Sequence, residues 1–282
     1  MSPTLAAPTA DALAREHPEF RGWLDLLAAA QEEAARPAWT EAVPEAPATT
    51  APRLAGVTLA IDPDVAAAWL GRLCDRAAAH APALAGGAAR LDPLAVLEAS
   101  VALDTDGSDA LAAAAGVPRE PLRAILPLVA YPWLERCGAA IAAPAEHPQG
   151  WCPLCGAWAT LAEARGLEGA RRLRCGRCGG DWRAEWLACP FCGTAEHGRL
   201  RGLVGEAGDT RAADGCEACG AWVKRVTTLA AAGVAQLRLL DLATVDLDVA
   251  ALERGWARPG GLGAPLDVRV APRERRPWWR RS

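Results

Sequence analysis

Cys152-Pro153-Leu154-Cys155-Gly156 occurs in four versions along the chain. The other three are Cys175-Gly176-Arg177-Cys178-Gly179, Cys189-Pro190-Phe191-Cys192-Gly193 and Cys216-Glu217-Ala218-Cys219-Gly220. Two residues between cysteines let both thiolates of one tight turn reach a single tetrahedral ion, at about 2.3 Å if the ion is zinc. Glycine after the second cysteine permits positive φ, so the turn can aim backbone N–H groups at sulfur. One CxxC alone is shared with dithiol redox sites. Four in succession, each followed by glycine, point to metal ligation instead. The candidate ligands are Cys152, Cys155, Cys175, Cys178, Cys189, Cys192, Cys216 and Cys219, enough for two metal ions per chain, iron or zinc.

The spacing allows two pairings. Nineteen residues lie between Cys155 and Cys175, twenty-three between Cys192 and Cys216, and ten between Cys178 and Cys189. This rhythm fits two successive ribbons, and a cross-braced arrangement of pairs one with three and two with four is the alternative. In either case four thiolates close the coordination sphere, leaving no open position for hydrolysis. The net charge of −2 around a divalent ion must be offset by oriented dipoles or cations. Arg171, Arg172, Arg174 and Arg177 surround the second pair and are candidates. His197 reads as a surface residue. Cys74 and Cys137 stand alone in apolar, helix-like segments and read as small core residues.

Outward from the cysteines the pattern changes. Residues 1–35 show helical spacing in Phe20, Trp23, Leu24 and Leu27, and prolines from Pro37 to Pro52 mark a loop. From about 60 to 143 the periodicity is helical again. Asp62-Pro63 and Asp92-Pro93 each read as an N-cap followed by proline in the first turn. Ser108 is expected to cap a short helix stopping at Gly116. Pro127 and Pro132 should kink or break the apolar run from Pro121 to Ala143. Strands are expected around Trp182–Ala188, Leu200–Val204 and Trp222–Thr228.

The predicted class is therefore α+β multidomain. A helical domain over 1–145 is followed by four-cysteine, rubredoxin-like or zinc-ribbon modules over 150–185 and 186–230. A strand/helix segment over 231–260 and an Arg/Trp-containing tail over 261–282 complete the chain.

With 282 residues and 51% hydrophobic side chains, the chain can build a sizeable core. Of its 30 basic residues one is lysine, Lys224, and the formal net charge is −4. Between residues 151 and 225, eleven Lys/Arg face nine Asp/Glu, a thin basis for binding phosphates. No apolar run of about 18 residues is present, so no membrane insertion is expected. The opening Met1-Ser2-Pro3-Thr4 lacks a signal-peptide pattern, which makes the cytoplasm the expected location. No Ser/His/Asp set, phosphate-cradling loop or acid/base carboxylate pair stands out, and the chain is not expected to be an enzyme. The competing readings are a rubredoxin-like iron redox protein and a zinc-ribbon nucleic-acid-binding protein.

The residues resemble one known family, the formate dehydrogenase accessory proteins of the FdhE type. The resemblance rests on the four CxxC pairs in this order and on Cys216-x-x-Cys219 followed by Trp222 and Lys224. It rests also on Asp241-Leu-Ala-Thr-Val-Asp-Leu-Asp248 ahead of Gly255-Trp256, and on the helix ending in Ala30-Gln31. It covers roughly residues 15–260. The family often has tyrosine where Trp222 stands and a doubled aspartate where only Asp241 appears. The resemblance implies an N-terminal helical domain, two rubredoxin-like metal sites, and a cytoplasmic helper that binds a respiratory formate dehydrogenase catalytic subunit before export.

Overall fold

The protein is described by a computed structural model over residues 8–205 and 208–273. In chain order the elements are α1 (Ala10–Glu16), α2 (Arg21–Ala34), α3 (Pro37–Glu41), β1 (Thr58–Ile61), α4 (Pro63–Ala78), α5 (Pro93–Ala102), α6 (Thr105–Ala115), α7 (Arg119–Val129) and α8 (Tyr131–Ala140). Next come β2 (Leu161–Arg165), β3 (Ala170–Arg174), β4 (Asp181–Arg183), β5 (Leu200–Gly205), β6 (Gly208–Cys216), β7 (Trp222–Thr228), α9 (Val234–Leu242), α10 (Val245–Glu253) and β8 (Arg269–Pro272). They divide into two compact units.

One unit joins Glu19–Ala48, Leu54–Ala140 and the described residues from Leu266 on. It is built of α2 to α8 around the buried side chains of Trp39, Trp69, Trp133 and Tyr131. Each indole N–H has an acceptor, as a buried indole requires. Trp69 donates to the Val129 carbonyl at 3.0 Å, Trp133 to the Ala42 carbonyl at 3.0 Å and Trp39 to Glu33 Oε1 at 2.8 Å.

The expected caps hold at two helices. The Asp62 carboxylate accepts the Asp64 N–H at 3.0 Å ahead of α4, and Asp92 accepts Leu94 N–H at 2.9 Å ahead of α5. The third helix starts earlier than expected. Asp104 caps α6 by accepting the Gly107 N–H at 2.9 Å, and Ser108 is buried inside the helix, which ends at left-handed Gly116 as foreseen.

The proline-bearing run breaks between Val129 and Tyr131. Ser100 explains how the break is satisfied. Its hydroxyl accepts the Ala130 N–H at 2.9 Å and donates to the Leu126 carbonyl, inserting itself into the i→i−4 ladder. A two-stranded parallel sheet adds to the helices, with Thr58 opposite Arg269 and Ile61 opposite Pro272. Residues 274–282, with most of the arginines and both tryptophans of the expected tail, lie outside the described residues.

The other unit contains α1, residues 49–53 and Ile141–Pro265. Its frame is one six-stranded sheet in the order β4-β3-β2-β7-β6-β5. Each cysteine ribbon supplies three strands, and the two halves join through a parallel pairing of β2 with β7, from Leu161 opposite Lys224 to Arg165 opposite Thr228. The ribbons are thus halves of a continuous sheet. The alternation in Trp182–Ala188 gives a strand only over β4, because Trp182 is fully buried while Trp186 is 43% exposed and the chain leaves the sheet between them.

The segment 231–260, expected as a strand and a helix, contains two helices and no strand among its described residues. Leu237 and Leu240 are three apart, a helical spacing, and pack on Leu161 and Val226. Leu247 and Ala251 of α10 pack on Ala213 and Trp222. No helix among the described residues is long and apolar enough to cross a membrane.

Candidate metal centres

All four CxxC turns have the same backbone. The glycine after each pair lies at positive φ, 66° at Gly156, 79° at Gly179, 75° at Gly193 and 71° at Gly220. Its N–H donates to the carbonyl of the first cysteine at 2.7–2.9 Å. The N–H of that first cysteine donates to the carbonyl two residues beyond the second: Cys152 to Ala157, Cys175 to Gly180, Cys189 to Thr194 and Cys216 to Ala221. Both groups that could compete for solvent are therefore used to close the turn, and the sulfurs project from one side. At Gly156 the need for glycine is doubled, since a Cβ there would lie 2.3 Å from the Ala264 carbonyl oxygen.

The turns come together in sequence order. Cys152, Cys155, Cys175 and Cys178 form one cluster, and Cys189, Cys192, Cys216 and Cys219 form the other, with the sulfurs of each within 4.8 Å of one another. The closest approaches are 3.5 Å for Cys152–Cys178 and Cys155–Cys175, 3.7 Å for Cys189–Cys219 and 3.8 Å for Cys192–Cys216. Sulfurs bound tetrahedrally at about 2.3 Å lie about 3.8 Å apart. A disulfide would require about 2.0 Å. The spacing fits an ion at the centre of each cluster, and each cluster can hold one.

Electrostatics within the first cluster supports this. Hydrogen bonds from Cys152, Cys155 and Cys178 hold the Cys175 thiol well below the usual thiol range. Burial pushes the Cys152 thiol well above it, and hydrogen bonding to the neighbouring cysteines does the same for Cys178. Without a cation only part of the set can be ionised, because four adjacent buried thiolates repel one another.

Oriented backbone dipoles are present as well. The Phe191 N–H points at Cys189 Sγ at 3.4 Å, and the N–H groups of Ala218 and Cys219 approach Cys216. Burial raises the Cys216 thiol, but these N–H groups together with hydrogen bonds from Cys189 and Cys192 make the net shift downward.

Three of the four arginines expected to offset the sulfur charge, Arg171, Arg172 and Arg174, have carboxylate or carbonyl partners, and of these Arg171 also feels the charge of Cys189. Arg172 pairs with Asp181 at 2.6 Å, and Arg174 with buried Glu163 at 2.7 Å. Arg171 is buried and binds the chain between the clusters, donating to the Glu185 carbonyl at 2.7 Å and the Ala188 carbonyl at 3.0 Å. Its NH2 group lies 3.5 Å from Asp214 on β6. One guanidinium on β3 thus holds the link that leads into Cys189.

The clusters differ in cover. Every cysteine of the first is buried, whereas Cys192 and Cys219 of the second are exposed. Above the first cluster the Pro153 carbonyl accepts from Arg53 N–H at 3.0 Å, and the Gly156 carbonyl accepts from Gly263 and Ala264 at 2.8 and 3.1 Å. His197 is exposed beyond the second cluster and belongs to neither set. Cys74 and Cys137 are fully buried in the helical unit, and burial, with the charge of Asp75, pushes the Cys74 thiol up to about 11.

Residue-by-residue reading did not reveal a buried cation on β7, five residues after Cys219. Lys224 Nζ, one position beyond Val223 on β7, lies 2.7 Å from Asp241 Oδ1 and 2.5 Å from Asp248 Oδ2. Trp222 Nε1 donates to the other Asp248 oxygen at 3.1 Å. The available signal was that Lys224 is the only lysine of the chain.

No family model and no curated protein matches the chain. The structure is similar to the crystal structure of the FdhE protein from Pseudomonas aeruginosa, with a TM-score of 0.57, 20% identity, and coverage of 91% of this chain and 96% of that one. The chain therefore has the FdhE fold, with two tetracysteine clusters set in its sheet.

Proposed function

We propose that this protein is a formate dehydrogenase accessory protein of the FdhE type. On this reading it is not itself an enzyme. It acts in the cytoplasm, binds the catalytic subunit of a respiratory formate dehydrogenase before export, and supports conversion of that subunit to its active form. Each tetracysteine cluster holds one zinc or iron ion. The observation that carries the reading is the FdhE fold over nine-tenths of the chain. The resemblance of the four CxxC pairs and of the Trp222, Lys224, Asp241 and Asp248 positions adds to it.

The clusters support a holding or docking role better than a hydrolytic one. Four thiolates fill a tetrahedral ion and leave no site for substrate water. A sheet tied by two ions presents its loops at low ordering cost to a partner.

The test is a deletion strain lacking any homologue, assayed for formate dehydrogenase activity and catalytic-subunit level with and without this chain. Lost activity restored by the chain is expected, and full activity in the deletion strain would sink the proposal. An absorption spectrum of anaerobically purified protein separates iron, which is coloured at four thiolates, from colourless zinc.

A further inference from the structure

The two clusters share ligands, turn geometry and sulfur spacing, yet they face solvent differently. In the first, the whole run from Cys152 to Ala157 is buried, as are Cys175, Gly176, Cys178 and Gly180. Gly180 lies so close that a Cβ there would come within 2.6 Å of Cys152 Sγ. The returning chain at Arg53 and at Gly263–Ala264 is hydrogen-bonded across the first turn.

The second cluster is crossed as well, with Ala257 N–H on the Gly220 carbonyl at 2.8 Å and Glu217 N–H on the Arg199 carbonyl at 2.8 Å, yet two of its cysteines stay exposed. Cys192 is followed by exposed Gly193, and Ala195 to Arg199 are exposed; Glu217, Ala218 and Cys219 are exposed in the facing turn. Cys189 and Cys216, by contrast, are 4% and 1% exposed. Each of the cluster's two turns therefore contributes one buried and one exposed cysteine. A cleft of about 210 Å³ is also lined by Cys189 and Cys216, with Leu187 and Pro190.

We infer that the second cluster is an exchange site, accessible to a soft external donor of the thiolate class, and that the first is a closed structural centre. The inference rests on the reading that both clusters hold an ion. Ligand exchange at a filled tetrathiolate ion starts with approach of the incoming donor, so access to the ion controls it. An external thiolate forms a bond to the ion as the thiolate of Cys192 or Cys219 leaves it. No electrons change hands, and the displaced thiolate takes a proton from water or remains anionic. Cys189 and Cys216 keep the ion attached during the exchange. Nothing equivalent can start at the first cluster without lifting the chain at Arg53 or Gly263.

The test uses the full-length chain loaded with zinc, with the metal counted first. EDTA in excess is added with and without 2-mercaptoethanol, and zinc release is followed with time. One zinc per chain should leave about tenfold faster than the other, or more. Mercaptoethanol should accelerate the fast phase and leave the slow one unchanged. Cys155→Ser should retain the fast phase alone, and Cys192→Ser the slow phase alone.

Because either variant can fail to fold, a pulse of iodoacetamide on the unaltered zinc-loaded chain gives a second readout. Peptide mapping should find Cys192 and Cys219 labelled first. A single rate for both ions, equal acceleration of both, or first labelling at Cys152 or Cys155 would overturn the inference while leaving metal binding intact. A chain that takes up no metal would overturn the metal-binding reading as well.

Discussion

Lys224 on β7 and Asp248 on α10 form a buried ion pair, with Nζ 2.5 Å from Oδ2 and the lysine side chain 1% exposed. The same ammonium reaches Asp241 Oδ1 at 2.7 Å and the Asp241 carbonyl at 2.6 Å. One cation thus ties both α9 and α10 to β7 of the sheet. Removing one partner of a buried pair costs about 3 kcal/mol when the other charge is left alone; here Asp241 still faces Lys224, so the loss expected is about 2 kcal/mol, the worth of a hydrogen bond to a charged group. Asp248→Asn should lower unfolding stability by that order. Lys224→Met should cost less when combined with Asp248→Asn than the two single changes added together. Denaturant titration of the four proteins measures the coupling, and strict additivity would show that the pair is not coupled.

Gly180→Ala places a methyl group 2.6 Å from Cys152 Sγ and 3.5 Å from Cys178 Sγ. Neither sulfur can retreat while holding an ion. Metal affinity at the first cluster should drop by about 10- to 100-fold, with the second cluster unaffected. Competition with a chromogenic chelator reports the two affinities separately.

Arg171→Gln removes the donor that holds the Glu185 and Ala188 carbonyls and faces Asp214. Hydrogen bonds to a buried charge are individually worth about 2 kcal/mol. The link into Cys189 should loosen, so the expected result is weaker metal retention at the second cluster and little change at the first. Equal retention at both would show that the link is held by other contacts. Metal counting on the purified variant, with proteolysis at Trp186–Leu187 as a measure of loosening, decides it.

Stripping both ions should unfold the sheet more than the helices. Metal affinity is folding energy where the ligands come from separate turns, and each cluster here ties two turns of one sheet. After exhaustive chelation, amide protection should be lost in β2–β7 and retained in α4, α5 and α7. Cys175→Ser should lose about one metal per chain and show the same pattern in its own half of the sheet. Uniform loss of protection would mean the two units unfold together.

The four cysteine turns were legible in the sequence because each is local. Two residues between cysteines and a following glycine determine the turn, and each of the four turns forms with the expected left-handed glycine. Helix starts at Asp62-Pro63 and Asp92-Pro93 were legible for the same reason, since a cap is made by a side chain and an N–H two or three residues away. Ser108 misled because Asp104 could fill the same role one turn earlier.

Other features depended on partners far along the chain. Nothing near β1 announces a strand whose partner, β8, begins more than 200 residues later. The fusion of the two ribbons is likewise a pairing of Leu161–Arg165 with Lys224–Thr228, which no local periodicity encodes. By itself the sequence determined the four cysteine turns and the helical character of the first half, since these depend on short-range geometry. Only the tertiary structure decided that pair one meets pair two and pair three meets pair four. It also decided that Lys224 is buried between two carboxylates, and that one cluster is sealed while the other is open. Those outcomes depend on which distant chain packs across each turn, and hence on which groups lose their water.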